Sequence, residues 1–492
     1  MPLKRAESSV RFWKSSKLLL WPVAIALLLT SMCSTALARS SALDARFGRE
    51  GRALVPVRLQ NQAIGYLDSR NWLNTAVATA TITGGRVAVA GERTVAVLRS
   101  DGKIDRGFGN NGRVSLPLVG EGQTVIKDVA VDSSGNILVL AAARFAKGGG
   151  LAIVARLSAS GEYDSSFANN GILLTDFGLH APYAWGPSAP PGAPTDVLPT
   201  DLVVDDQGRP VIAGTIVAAF APCRGAGEQP HHTVYLARLL PNGSLDAGFG
   251  SGGVVRDERD PFYAEQHPSM NGLAIHGGAI FYATTNGSEC EGFGNGLVVG
   301  LNEAGGRNPG FGSVGVLDVT PPTTRALRIA VDRSGRILVM RQATPGETNY
   351  LASFEVLSRR NADGTIDAGF GHGGEIALKL PGEEGGLDAL AVDARGRPLL
   401  AGRVAPPRTT SQVKRHIFAP PRFVLIRLDA SGRPDRTFGK RGRVVTGFGR
   451  GSRAAATDLA IRGKKAILAG PVLSAHVRGG KGFALARYRL GR

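Results

Sequence analysis

Eight histidines, three cysteines and four glycine-rich fingerprints are the residues of this sequence whose types could support chemistry. The histidines would serve as metal ligands or acid–base groups. None stands in His-x-x-x-His or His-x-His spacing, however, and His231-His232 falls in a long connection where solvated histidines are the ordinary outcome. No Gly-x-Ser-x-Gly elbow, Cys-x-x-Cys pair or alternating-Asp calcium loop closed by Glu is found. Gly-x-Gly-x-x-Gly occurs from Gly107, Gly248, Gly310 and Gly369. That fingerprint cradles a pyrophosphate only where a strand precedes it and a helix follows, since the helix N-terminus supplies the donors. Each copy here lies between two short strand-like runs, so all four read as hairpin turns. No residue is assigned a catalytic or metal-binding role, no cofactor is expected, and the sequence leans away from an enzyme.

What would position any site is a repeat. The motif Asp-x-x-Phe-Gly recurs at Asp44–Gly48, Asp105–Gly109, Asp246–Gly250, Asp367–Gly371 and Asp435–Gly439, with variants at Asp164–Ala168 and Asn308–Gly312. Its phenylalanines are 61, 59, 82, 62, 59 and 68 residues apart, a series chance does not produce. Each interval holds four extended segments, a to d. In the second they are Val125–Val131, Asn136–Leu140, Leu151–Leu157 and, after the motif, Ile172–Thr175. The sixth repeats them as Leu387–Val392, Pro398–Ala401, Arg422–Leu428 and Arg443–Val445. Tight turns such as Asp132–Gly135 and Asp393–Gly396 join a to b, with Asp accepting backbone bonds and Gly supplying a positive φ. Hairpins of this kind make antiparallel sheets.

Four-stranded sheets at a regular period protect their edges by stacking radially. The chain ends with a c strand, Phe483–Leu490, and opens with an orphan motif and an orphan d strand, Arg52–Val57. The expected fold is therefore all-β: a seven-bladed β-propeller of four-stranded antiparallel blades over residues 39–492, its ring closed by the N-terminal strand completing the last blade. The repeat motifs lie near 44–51, 105–112, 164–171, 246–253, 308–315, 367–374 and 435–442. Because it recurs in every blade, the motif Asp reads as a turn cap between c and d, and the Phe as an apolar plug between sheets.

The pattern Ala-Arg-Leu-x-x-x-Gly-x-x-Asp-x-x-Phe-Gly-x-x-Gly, fullest from Ala237 through Asp246 and Phe249 to Gly253, resembles the delta-60 repeat of bacterial exported proteins. The a–b segments also resemble NHL-type propeller repeats. The resemblance covers residues 41–492 and implies a propeller-like fold, while the family is defined by its repeat rather than by an activity. Departures cluster in the fourth repeat, where Asn308-Pro309 replaces the Asp step and His276-Gly277-Gly278 the Asp turn.

Residues 1–38 read as a signal peptide: Lys4, Arg5, Arg11, Lys14 and Lys17, then the apolar Leu18–Leu29, then Ala36-Leu37-Ala38 before Arg39. An uncleaved anchor is the alternative, since Leu18 to Ala38 is free of charge. Either way the remainder is extracytoplasmic: secreted, periplasmic or on the cell surface. Removing residues 1–38 takes five basic residues and one acid from the formal charge of +18, leaving +14. Export, and the lack of basic runs interleaved with aromatics, argue against nucleic acid. A carbohydrate, a peptide or an anionic envelope polymer suits the charge and compartment, and no membrane span is expected after cleavage.

The expected protein is a monomeric binding or scaffold propeller, with a propeller enzyme (hydrolase, lactonase or lyase acting on sugars or lactones) or a structural part of a surface assembly as alternatives. The a–b and c–d turns share one face and are uniform, whereas the b–c loops and d–a crossovers share the other and vary, which is where recognition usually resides. Candidate ligand-binding residues there are His180, Tyr183, Trp185, His231, His232, Tyr263 and His267. Cys223 and Cys290, in b–c connections of neighbouring repeats, could form a disulfide in an oxidising compartment.

Overall fold

A computed structural model describes residues 42–57, 77–119, 123–145, 149–179, 196–223, 227–257, 267–287, 294–319, 325–343, 354–378, 380, 384–406 and 420–491, all within the compact unit Ala42–Arg492. The expected signal segment lies outside them. The described chain is strands and turns, with one short 3-10 turn at Thr83–Gly85 and no α-helix. No helix among the described residues is long and apolar enough to cross a membrane.

The strands form four-stranded antiparallel sets, numbered here in chain order. Set 1 is Val77–Thr81, Val87–Gly91, Thr94–Leu98 and Arg113–Ser115. Set 2 is Gln123–Val131, Ile137–Arg144, Gly150–Leu157 and Ile172–Thr175; set 3 is Asp196–Val204, Pro210–Cys223, Gly227–Arg238 and Val254–Asp257. One parallel bridge, Asp196 to Gly150, joins these two. Sets 4, 5 and 6 begin at His267, Arg325 and Glu384 and follow the same order. Set 7 combines Asp458–Arg462, Lys465–Leu473 and Lys481–Arg489 with Arg52–Pro56 from the other end of the chain, whose Val55 pairs with Phe483. The arrangement is that of a β-propeller, with each set's first strand innermost.

Strand positions follow the sequence reading, but the b strands of sets 2 and 6 run on to Arg144 and Ala405, past the expected Leu140 and Ala401, and one connection is corrected. Val217–His232, expected as a long loop, is instead the outer half of a β-hairpin: Val217 pairs with His232 and Cys223 with Gly227. Pro222 and Pro230 interrupted the strand pattern of this stretch, which cross-strand pairing nevertheless sustains.

The repeat motif builds a knot at every c–d turn except that of set 4. In set 3 one oxygen of Asp246 accepts the Gly248 amide at 3.0 Å, and the other accepts Arg238 Nε at 2.7 Å. The Asp thus caps its turn as expected, and also holds an arginine. That guanidinium lies over the Phe249 ring, 4.6 Å from its centroid, and donates to the Glu303 carbonyl of set 4. Arg156, Arg359, Arg427 and Arg487 repeat the pattern toward Pro241, Ala430, Leu490 and Ser100. In set 1, where Val97 fills the arginine position, Arg86 reaches from the a–b turn to Asp105 at 2.8 Å and to the Ala159 carbonyl. Set 4 loses both partners together. Gly300 stands for the arginine, Asn308 for the aspartate, and a Cβ at Gly300 would lie 2.7 Å from the Phe311 ring.

The motif phenylalanines are at most 1% exposed. Each ring from Phe47 to Phe370 packs against a glycine in the next set, such as Gly102 on Phe47 and Gly243 on Phe167, where a Cβ would stand 2.9 and 3.0 Å from ring atoms. Burying such a ring contributes about 1.5–3 kcal/mol. The apolar clusters accordingly lie between consecutive sets. One of them joins Phe483, Leu485 and Val55 of set 7 to Val77, Val89 and Leu98 of set 1.

Candidate functional site

A propeller's innermost strands turn one edge toward the axis and pack both faces against the neighbouring sets, so polar residues within them need a reason. Five of these strands carry a register shift: between Ile126 and Asp128, Pro199 and Asp201, Met270 and Gly272, Ala326 and Arg328, and Leu387 and Ala389. A bulge places two residues opposite one and re-aims side chains. Here the bulges bring Lys127, Asp128, Asp201, Asn271, Arg328 and Asp388 to a shared cavity of about 960 Å³, which Asp458 completes from set 7.

The cavity lies along the first and middle parts of the inner strands and the later parts of the b strands, where Arg144, Val217 and Arg403 line it. It therefore belongs to the end of the propeller from which the b–c and d–a connections leave. Its charges are mixed. Arg144 pairs with Asp196 at 2.7 Å, and Arg403 Nη1 lies 3.4 Å from Asp388.

The carboxylates are brackets between neighbouring inner strands. Asp128 accepts the Val129 amide at 2.7 Å with one oxygen and the Leu202 amide of set 3 at 2.8 Å with the other. Asp201 accepts the Leu273 amide of set 4 at 2.9 Å. Asp458 accepts Leu459 at 2.7 Å and the Thr79 amide of set 1 at 2.6 Å. Burial holds the Asp128 carboxyl well above the ordinary range, and the charges of Asp201 and Asp458 add to this, with Asp201 in hydrogen-bonding reach. Burial likewise pushes Asp458 up to about 6, against the pull of the two amides it accepts. Asp388 is raised by burial although Arg403 and Arg328 oppose the shift, and Lys127 is lowered by burial and by Arg144.

A carboxyl pair sharing a proton is a recognised acid–base device. Among the described residues no group of three His, Cys, Asp or Glu side chains is placed to hold a metal ion.

Of the residues expected from sequence, His232 lines the cavity. His231 and His267 fall within strands Gly227–Arg238 and His267–His276. His180, Tyr183, Trp185, Tyr263 and Cys290 lie outside the described residues, and Cys223 ends the strand Pro210–Cys223. Sequence reasoning missed the cavity aspartates. The available signal was a recurring step of Lys or Thr, then Asp, then an apolar residue in or at the start of an inner strand, at Lys127-Asp128-Val129, Thr200-Asp201-Leu202 and Thr457-Asp458-Leu459.

A family profile described as "Domain of unknown function (DUF5122) beta-propeller" matches residues 233–249, the c strand and turn motif of set 3. No curated protein matches the chain. Among solved structures, Drosophila Plexin A in complex with Semaphorin 1b is 10% identical over 85% of this chain and 85% of its own, with a TM-score of 0.41. Hadza microbial sialidase Hz136 is 8% identical over 82% and 73%, with a TM-score of 0.39. Uncomplexed Pyrococcus horikoshii acylaminoacyl peptidase is 9% identical over 86% and 54%, with a TM-score of 0.41. Nothing about ligand or activity follows from likenesses this remote.

Proposed function

We propose that this chain is an exported binding or scaffold protein, a seven-bladed propeller of the delta-60 repeat type that takes a polar ligand at the mouth of its central cavity. The observation that carries the reading is the cavity itself, which gathers Asp128, Asp201, Asp388, Lys127, Arg144 and Arg403 at one end of the inner strands. Donors and acceptors of both signs around a concave mouth suit a carbohydrate or a short peptide better than an apolar molecule. In this reading His180, Tyr183, Trp185 and Tyr263, from the d–a connections, join His231, His232 and His267 in contacting the ligand. Thermal-shift screening with neutral and amino-bearing oligosaccharides and short peptides tests it. A hit should lose affinity in His232→Ala and in Tyr183→Ala/Trp185→Ala/Tyr263→Ala. Binding undiminished in both variants, or no hit in the panel, would count against the reading.

Ring closure is supported by a repeated bond. The motif amide of Gly109, Ala168, Gly250, Gly312 and Gly371 each donates to a carbonyl in the following set, and Gly48 of set 7 donates to Asp101 of set 1 at 2.7 Å in the same way. Export and an extracytoplasmic location rest on residues 1–38, and N-terminal sequencing of the envelope or medium fraction should begin at Arg39. The meeting of Asp128 with Asp201 favours, as a second reading, a propeller enzyme using a shared proton. Turnover abolished by Asp201→Asn in a fold-intact protein would establish it.

A further inference from the structure

The face opposite the cavity mouth, formed by the a–b and c–d turns, is charged very unevenly. In sets 2 and 3 these turns, residues 132–136, 158–171, 205–209 and 240–253, hold a single Lys or Arg, Arg209. It is ion-paired with Asp205 at 2.7 Å and Glu303 at 2.9 Å. In sets 6 and 7 the same turns expose Arg46, Arg436, Lys440, Arg441, Arg462 and Lys464. None of these forms an ion pair among the described residues.

The six cations share one surface. Within set 7, Lys465 of the a–b turn lies 3.8 Å from Asp44 of the c–d turn, and within set 6 Arg397 lies 3.5 Å from Asp435. The sets abut where Arg397 Nη2 donates to the Leu490 carbonyl at 3.2 Å and the Leu490 amide to the Lys464 carbonyl at 2.9 Å. The basic residues of these turns outnumber their acids, Asp44, Glu50, Asp393, Asp429 and Asp435, which raises the local potential, so this sector favours an anion by charge complementarity.

The chemistry around the cations narrows the occupant. Among the described residues the large apolar side chains left exposed, Leu118, Leu174, Leu240, Leu245, Val314 and Ile366, all belong to sets 1 to 5, leaving none in the basic sector to enter a lipid surface. The rings beneath the cations, Phe47, Phe438 and Tyr488, are 1% exposed or less, so no aromatic platform is offered to stack bases. What remains is a shallow field of guanidinium forks and ammonium groups, which match carboxylates spaced along a hydrophilic chain. We propose that the turn face of sets 6 and 7 binds an acidic polysaccharide through its carboxylates. This stands apart from the cavity-mouth reading, which concerns the other face.

The test is retention of the purified protein on immobilised alginate, a polyuronate, eluted with NaCl. Arg436→Ser/Arg462→Ser/Lys464→Ser should bind roughly tenfold more weakly, as expected for three exposed ionic contacts. Arg333→Ser/Arg450→Ser/Arg478→Ser, which removes equal charge outside the sector, should elute with the unmodified protein. Equal losses in the two variants would reduce the effect to net charge and overturn the proposal. So would an unmodified protein that ignores alginate, or one that binds anionic vesicles or single-stranded DNA more tightly than the polyuronate. If the first variant fails to fold, Lys440→Gln/Arg441→Gln asks the same question from set 6 alone.

Discussion

Arg487 and Asp44 are separated by 443 positions in the chain, yet Arg487 Nε donates to Asp44 Oδ2 at 2.9 Å. The same guanidinium reaches the Ser100 carbonyl of set 1 at 2.6 Å and covers the Phe47 ring at 4.6 Å. Three stretches of chain, two from the N-terminal region and one from the C-terminal end, therefore meet at one buried side chain.

Removing that side chain leaves Asp44 buried, with Lys465 3.8 Å away as its remaining cation. Arg487→Leu should cost about 3–5 kcal/mol, the usual penalty for orphaning one member of a buried pair. Asp44→Asn/Arg487→Leu should recover part of it, because no charge is then stranded. Urea unfolding of the three proteins measures this. Equal stability of Arg487→Leu and the unmodified protein would show that the pair contributes nothing.

Deleting residues 42–57 removes the strand paired with Lys481–Arg489 and uncovers a row of backbone donors and acceptors. The truncated protein should aggregate or dimerise through that edge. Size-exclusion chromatography and a thermal melt decide it, and a monomer with an unchanged melting temperature would rule out this role for the strand.

The cavity carboxyls give a definite sign of pH dependence. With Asp458 pushed up to about 6, the folded protein keeps a proton that the unfolded chain releases near pH 4. The stability linked to that proton is fully present below about pH 4 and disappears as pH rises through about 6. It amounts to up to about 3 kcal/mol. Asp164, whose carboxyl Ser166 holds below the usual range, acts oppositely and in a separate, more acidic window, losing its contribution as pH falls. The urea midpoint should therefore decline between about pH 4 and 7, and Asp458→Asn should flatten that decline. A midpoint that rises across this window would contradict the assignment.

Gly402 faces the inner-strand bulge of set 6, and a Cβ there would lie 2.0 Å from the Gly386 carbonyl oxygen. Gly402→Ala should cost about 1–3 kcal/mol or more through overpacking against backbone. Gly107→Ala, where the nearest atom would be 3.5 Å away, should be far milder. Thermal melts of both variants make the comparison.

Much of this protein was legible in its sequence because repetition turns weak local signals into strong ones. One Asp-x-x-Phe-Gly could be any turn. Repeated with four strand-like runs between copies, it defined the antiparallel sets and the burial of Phe249 and its counterparts. Local chemistry also settled the turns, since an Asp two residues before the amide it accepts caps its turn whatever surrounds it. The partners of that Asp were not legible. Whether its second oxygen meets Arg238 in the same set, as in set 3, or Arg86 from the a–b turn, as in set 1, depends on how strands pair and sheets stack.

The cavity shows the same division. Asp128, Asp201 and Asp458 are scattered through 331 positions of sequence, and each is a single acid between a Lys or Thr and an apolar residue. Their neighbours along the chain do not disclose that a backbone amide of the next set binds each of them. The sequence by itself determined the strands, the turns and the apolar faces, because those depend on residues a few positions apart. The tertiary structure alone decided which charges share the cavity and which cations crowd the turn face of sets 6 and 7, because electrostatic energy follows distance in space and not separation along the chain.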